Sequence, residues 1–424
     1  MIAPAEHPRH EPGVRAAVVL SLYWFTALGG LGIFFPFYSL YLSENAGLTG
    51  SQVGLVMATM PLVGMLAQPF WGQVADRTGA RRRVLSVLGF GAAAGYALLY
   101  LGRGFHPLLA GTAALALFSN SLLPMGVSVS LASLRHLGPH AFGIARACGT
   151  VGFLVTVVAF PKLLDWVQAG QRLTTATAGS SEPGLELILP CTSVCVLAAA
   201  IVSLVIPSEQ AFSVPAAKGD WRLLLRHPPF MRLLLFTFGG YLFLQGPMVL
   251  FPIFVRSLGG GIEVVSRMWV CMLLLEIPLI ALSGAGLERV GPRGLILIGI
   301  SAGALRWLVC GLSSSLSLIY AVQVLHGVTV MGLVIGAPLY VDAVVPAQLR
   351  STGQGLLAMV GISLGGILSN LSVGWLFENA GGSAPALFAG VGATALALAL
   401  PWALPEAAHV HRRGVEEEIG TAAP

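Results

Sequence analysis

The sequence predicts an all-α polytopic membrane protein with twelve transmembrane helices in two pseudo-symmetric six-helix bundles. Three observations carry that expectation. The first is composition: of 424 residues 56% are hydrophobic and only 10% charged, where a soluble domain carries roughly 25% charged residues. So little charge cannot solvate a globular surface, so most of the surface must face lipid. The second is segment length. The apolar runs are about 20 residues long, enough to cross a hydrocarbon layer as helix. They lack the apolar–polar alternation of a barrel strand. The third is a charged motif that recurs half a chain later.

The spans fall near residues 16–42, 52–73, 84–103, 107–132, 147–167 and 185–206, then 230–256, 264–286, 294–313, 317–344, 353–377 and 384–404. This gives an N-terminal bundle over 1–206, a linker over 207–229, a C-terminal bundle over 230–405 and a tail over 406–424. The segment 168–184 is rich in Thr, Ser and Gly and reads as an exposed loop. In the linker, the stretch from Trp221 to Arg226 reads either as a short interfacial helix on anionic lipid or as plain hydrophilic connection. The N-terminus lacks a cleavable signal pattern, so the first span is expected to be retained.

Twelve spans place both termini on one side, and lysines and arginines decide which side. Seventeen fall on the terminus side; Arg103, Arg172, Arg256 and Arg267 fall opposite; Lys162 and Arg306 lie inside spans. Both termini are therefore expected in the cytoplasm, with the protein in the cell membrane, a bacterial inner membrane. The five cysteines all fall in spans and read as small buried side chains rather than a disulfide framework.

The repeated motif is Gly-x-x-x-acid-Arg-x-Gly-x-Arg. It runs from Gly72 through Asp76, Arg77 and Gly79 to Arg81, and again from Gly284 through Glu288, Arg289 and Gly291 to Arg293. Phe35-Pro36 and Phe251-Pro252 echo each other at a similar offset. Parallel repeats of this kind belong to alternating-access transporters with a central site between the halves. Glycines suit a tight turn, and an acid at the membrane face can pair with arginine or a neighbouring helix N-terminus. Arg82 and Arg83 stand outside the motif and read as orientation determinants.

These residues resemble the major facilitator superfamily across roughly 15–405. The first copy matches the family's loop between helices 2 and 3, and the second matches its weaker counterpart. Other stretches are similar to the 3-phenylpropionate permease-like branch, related to lactose and nucleoside proton symporters. They are Phe35 to Leu42, Phe142 to Arg146 with Gly149 to Phe153, Glu276-Ile277-Pro278, Arg306-Trp307, Gln323 to Gly327, and Thr352 to Gly355. The resemblance implies that Gly72, Asp76, Arg77, Gly79 and Arg81, with Glu288, Arg289 and Arg146, form a cytoplasmic gate. Ile144 stands where relatives often carry a further arginine.

A charge at mid-bilayer costs about 2.5–3.5 kcal/mol on insertion scales, so it has a partner or a function. Glu276 and Arg306 lie at similar depth on adjacent antiparallel helices, within reach of pairing. Glu276 is the candidate proton carrier, with Arg306 tuning it or binding an anion; the alternative is a fixed ion pair. His326 is a further proton-coupling candidate, or a packing histidine. Tyr38, Asn120, Gln245, Gln323, Gln354 and Asn370 are candidate substrate contacts; Asn120, Gln245, Gln354 and Asn370 could equally bridge helices. Tyr38 and Tyr41 either line the cavity or anchor the interface. Lys162 and Asp165 read as a solvated pair, and Asp342 as a gate or cap.

The chain has no phosphate-binding Gly-rich loop, no His-Glu-x-x-His and no clustered metal ligands. No enzyme activity, cofactor, metal or nucleic-acid partner is therefore expected. The drug-exporter signature of span 5 is missing too, which tilts the reading toward uptake. The expectation is a monomeric secondary transporter that moves a small-molecule substrate with protons. An exporter is the alternative, and a non-transporting membrane sensor the remote one.

Overall fold

The computed structural model describes residues 11–137, 140–171, 182–207, 221–346 and 349–406. Most of the loop 168–184, most of the linker and the tail lie outside these residues. Six helices come first: α1 (Glu11–Glu44), α2 (Gly50–Thr78), α3 (Arg81–Leu101), α4 (Phe105–Leu134), α5 (His140–Gln171) and α6 (Ile188–Ser203). A short α7 (Trp221–Leu225) occupies the interfacial stretch of the linker. The second series is α8 (Pro228–Val249), α9 (Phe251–Ser257), α10 (Ile262–Leu312), α11 (Leu316–Val322), α12 (Leu325–Val330), α13 (Ala337–Val344), α14 (Arg350–Leu356), α15 (Gly365–Ala380) and α16 (Ala384–Ala403).

Among the described residues, ten helices are long and apolar enough to cross a membrane, eleven if α8 and α9, bent by 51°, count as one span. Glycine at 291 divides α10 into two arms. The first arm, 262–290, is about 43 Å long at 1.5 Å per residue, and completes twelve crossings. Large apolar side chains point outward where a soluble protein would place charge: Leu101, Leu312, Trp166 and Trp402 are all exposed.

Two compact units emerge from the contacts. One comprises residues 1–47 and 63–214, the other 48–62 and 215–424. In the first, α1 packs on α5 and α6, and α3 on α4 and α6. Small residues permit this. Gly149 and Gly152 of α5 face Trp24, Phe25 and Leu28 of α1, and a Cβ on Gly152 would overlap the Phe25 carbonyl. Hydroxyls then stitch the touching backbones, as when Thr156 Oγ1 donates to Gly29 O at 2.7 Å.

In the second unit α8 packs on α15 and α16, and α10 on α12 and α16. The bend between α8 and α9 follows from Gly246-Pro247. The N–H of Gly246 is donated to Ser369 Oγ of α15 at 2.6 Å, which satisfies a backbone group that lipid could not. The tenth crossing is irregular: α11, α12, a wider π-helical stretch Met331–Gly336 and α13 follow one another. A similar π-helical stretch, Leu357–Leu364, joins α14 to α15.

The repeat is visible in the backbone. Gly79 has φ +64° and Gly291 has φ +66°, a region closed to ordinary L residues. Both turns therefore require glycine at the same motif position. Arg82 departs from the expectation that it only orients the chain. It donates to Ile206 O at 3.0 Å, just beyond the end of α6. Arg293 likewise donates to Pro401 O of α16 at 2.7 Å and pairs with Glu406 at 3.3 Å. Cations thus meet the carbonyl ends of the last helix in each series, where the helix dipole favours them.

Replacing Gly152 with Val should force α5 off α1 and cost about 1–3 kcal/mol, the usual range for overpacking. Thermal unfolding of the purified protein should show a lowered midpoint; an unchanged midpoint would contradict the backbone contact.

Candidate functional site

The deepest charge among the described residues of the second unit is Arg306, on the second arm of α10 and 2% exposed. Its Nε and Nη2 both donate to Gln323 Oε1, at 2.9 and 2.6 Å. Gln323 is held for this role because its Nε2 donates to Ile319 O one turn back, at 2.6 Å. Arg306 Nη2 also approaches Met248 Sδ at 3.3 Å and Met272 Sδ at 3.8 Å. The guanidinium lies over the Trp307 ring at 4.7 Å and the Phe251 ring at 5.6 Å. Aromatic faces attract a cation most when water is excluded. These partners are neutral: a carbonyl oxygen, two sulfurs and two rings.

The remaining partner fixes a tautomer. Arg306 Nη1 lies 3.2 Å from His326 Nδ1. A guanidinium only donates, so Nδ1 accepts and the ring proton sits on Nε2. His326 Nε2 lies 3.8 Å from Glu276 Oε2. The sequence places Glu276 and Arg306 within pairing reach; in the structure His326 stands between them. Gly327 makes this possible. A Cβ there would lie 2.8 Å from Glu276 Cα and 2.9 Å from its backbone nitrogen, so only glycine lets α12 lie this close to α10.

A cavity of about 90 Å³ opens beside these groups, lined by Tyr241, Gln245, Met248, Arg306, Trp307 and His326 among others. Gln245 offers its amide there, and among the described residues no hydrogen bond engages it. Gln354 is occupied elsewhere, donating to Pro338 O at 2.9 Å and Asp342 Oδ1 at 3.2 Å. Asn370 is 2% exposed, and its Oδ1 is buried without a hydrogen-bond partner among the described residues.

In the first unit, Tyr38 is fully buried. Its hydroxyl meets Thr112 Oγ1 at 2.6 Å, and its ring stacks between Phe34 and Tyr41. Tyr38 therefore joins α1 to α4 through its hydroxyl. Tyr41 is 3% exposed. The Asn120 side chain lies against Gly64, and its backbone carbonyl accepts from Gln68. Arg146 lies 4.9 Å over the Trp24 ring, whose Nε1 donates to Ser130 Oγ at 3.0 Å. Lys162 and Asp165 are both exposed and form no ion pair among the described residues.

The first motif copy closes on itself. Arg81 Nη2 pairs with Asp76 Oδ1 at 2.9 Å, at the edge of a cavity of about 280 Å³ that Gly72, Trp71, Ser121, Met125 and Ser128 also line. Arg77 is exposed. The side chains of Glu288 and Arg289 lie outside the described residues. Sequence reasoning missed the sulfurs of Met248 and Met272 around Arg306, because methionine in an apolar helix carries no mark of a polar neighbour.

A buried cation linked through imidazole to a carboxyl, inside twelve apolar helices with a half-chain repeat, belongs to a membrane transporter rather than an enzyme. Residues 17–388 match the MFS_1 like family, and the chain belongs to that family. The protein is a multi-pass secondary transporter. It is 29% identical to the maltose permease of Geobacillus stearothermophilus over 369 residues, 85% of this chain and 87% of that one. It is 25% identical to the probable 3-phenylpropionic acid transporter of Escherichia coli (strain K12), covering 72% of this chain and 77% of that one. The crystal structure of the nucleoside transporter NupG superposes with a TM-score of 0.77 at 16% identity, over 91% of this chain and 98% of that one.

Replacing Gly327 with Ala should push α12 away from α10 and separate His326 from Glu276. Transport by reconstituted protein should fall at least about tenfold, the effect of moving a catalytic geometry by an ångström or so; wild-type rates would refute the placement. Asp76→Asn should change stability by no more than about 1 kcal/mol, since the pair is solvent-exposed, while slowing transport. Arg83→Gln should do little to either.

Proposed function

We propose that the protein takes up a small organic solute by proton-coupled symport, as a monomer working by alternating access. It would sit in the cell membrane, a bacterial inner membrane, with both termini cytoplasmic. The arginine bias between the loops supports that orientation, and the family names of the relatives support solutes of sugar, nucleoside or aromatic-acid size. One observation carries the coupling: the line Arg306–His326–Glu276 beside a cavity.

The line favours Glu276 over His326 as the proton carrier. A second proton on His326 would have to enter at Nδ1, break the bond from Arg306 and set two cations side by side in a dry interior. Glu276 meets no such penalty. Its carboxylate faces the Nε2 proton of His326; when protonated it becomes a neutral carboxyl that tolerates burial. In the proposed cycle Glu276 gains a proton from outside and the solute binds, with Gln245 as its polar contact in the cavity. The loaded protein turns inward, and Glu276 releases its proton as its carboxylate returns to His326. The Asp76–Arg81 pair, at the motif end of α2, gates the cytoplasmic side.

The solute is found first by thermal-shift screening of the purified protein against maltose, sucrose, uridine and 3-phenylpropionate. Glu276→Gln should then abolish accumulation driven by a pH gradient and leave counterflow exchange intact and independent of pH. Undiminished accumulation in that variant would remove Glu276 from coupling. Accumulation that rises when a protonophore is added would point to export.

A further inference from the structure

Within the second unit, α8 and α16 run antiparallel in close contact. A Cβ on Gly239 would lie 3.2 Å from Leu396, and one on Gly392 would overlap the Phe243 ring. So 239 faces 396 and 243 faces 392: four steps along α8 match four steps back along α16. Seven residues are close to two helical turns. The same register, carried two turns toward the start of α8, brings Arg232 over the seam and level with Ala403. Arg232 is exposed, and no hydrogen bond or ion pair engages it among the described residues.

Arg293 converges on this end of the seam from α10. Its Nη2 donates to Pro401 O at 2.7 Å and its Nη1 to Glu406 Oε1 at 3.3 Å. Tyr340 of α13 marks the meeting point: its hydroxyl donates to Pro405 O at 2.8 Å, and the charges of both Arg293 and Arg232 bear on it. Arg226, just beyond α7, is exposed as well. Among the described residues, the carboxylate that reaches these guanidiniums is Glu406, in an exposed pair with Arg293. Toward the middle of the helices the surface turns apolar. Val391, Leu398 and Trp402 are spaced by seven and four residues along one face of α16, and all three are exposed. Trp402, at the level of Arg232, is 89% exposed, and Leu235, one turn on from Arg232, is exposed too.

We propose that this end of the α8–α16 seam binds the headgroup of an anionic phospholipid. Arg232 takes the phosphate, supported by Arg226 and by the donors that Arg293 keeps beyond its two bonds. Trp402 sits at the glycerol level, and Leu398 and Leu235 face the chains. A guanidinium matches phosphate in shape and can give it two parallel hydrogen bonds. An indole suits the boundary between headgroup and chain, and basic pockets beside membrane helices hold acidic headgroups by the same forces. A free phosphate would use the arginines alone; the exposed apolar strip beside them selects a lipid. A plain orientation signal needs only positive charge on one side of the membrane. Here the charges are gathered at one seam, with Arg293 fixed by a carbonyl of α16. The bound lipid braces α16 against α8, and neither solute nor proton takes part.

Native mass spectrometry of the purified protein counts bound lipid directly. Titration with dioctanoyl phosphatidylglycerol should reveal a saturable site, at least about fivefold tighter than for dioctanoyl phosphatidylcholine, the effect of about one basic residue at a lipid surface. Arg232→Gln should weaken phosphatidylglycerol about fivefold and leave phosphatidylcholine unchanged. Arg83→Gln removes another exposed arginine, beside the motif of the first unit, and should alter neither. The unfolding midpoint should rise with phosphatidylglycerol and not with the same concentration of inorganic phosphate. Equal losses in Arg232→Gln and Arg83→Gln would reduce the effect to overall surface charge and overturn the site. Equal affinity for the two lipids, or protection by phosphate alone, would overturn it too. If Arg232→Gln does not fold, Arg226→Gln carries the same comparison with Arg83→Gln.

Discussion

Inside hydrocarbon no water waits to accept a stray backbone hydrogen bond, and lipid tails are as apolar as leucine. That constraint shapes nearly everything in this protein. Helices close their own bonds, so attraction between them comes from close approach. Glycine supplies it at Gly152 against Phe25, at Gly299 against Gly332 and at Gly327 against Glu276. Where the helical ladder is interrupted, a partner appears at once, as Ser369 does for Gly246. The same rule explains why the irregular stretches of the tenth and eleventh crossings are wider turns of helix rather than open loops.

A charge in such a medium must be neutralised, surrounded or used. Arg306 is surrounded: Gln323 takes two of its donors, His326 one, and aromatic rings and sulfurs cover the rest. Its effect passes to His326 by fixing the tautomer, and through His326 to Glu276. The three residues sit on three segments of chain, so the line exists only while those segments remain packed. Gly327 and the bond from Gln323 to Ile319 O are what keep them so.

Glycine in the two motif turns plays a different part. Gly79 and Gly291 supply a backbone shape that other residues rarely adopt, which is why the repeat keeps glycine there while the partners of the arginine that follows differ. Arg81 closes on Asp76, whereas Arg293 reaches Glu406 and the end of α16. A shared turn and separate partners make the two copies alike in fold and unlike in use.

Composition, run length and the half-chain repeat determined that this is a twelve-crossing helical transporter, because hydrophobic length and loop arginines are one-dimensional properties. They also picked out Glu276, Arg306, Gln323 and His326, because a polar residue in an apolar run is conspicuous. Only the tertiary structure decided that His326 stands between the two charges, that Tyr38 is locked against Thr112, and that Arg82 ends α6. It also brought Ser51 to Glu378, 327 positions apart. The capping box of Thr49 and Gln52 at the start of α2 is legible in the sequence, but the acceptor for the Ser51 N–H is not. Side-chain partners depend on which faces of distant helices meet, and nearly uniform apolar faces leave that pairing unwritten along the chain.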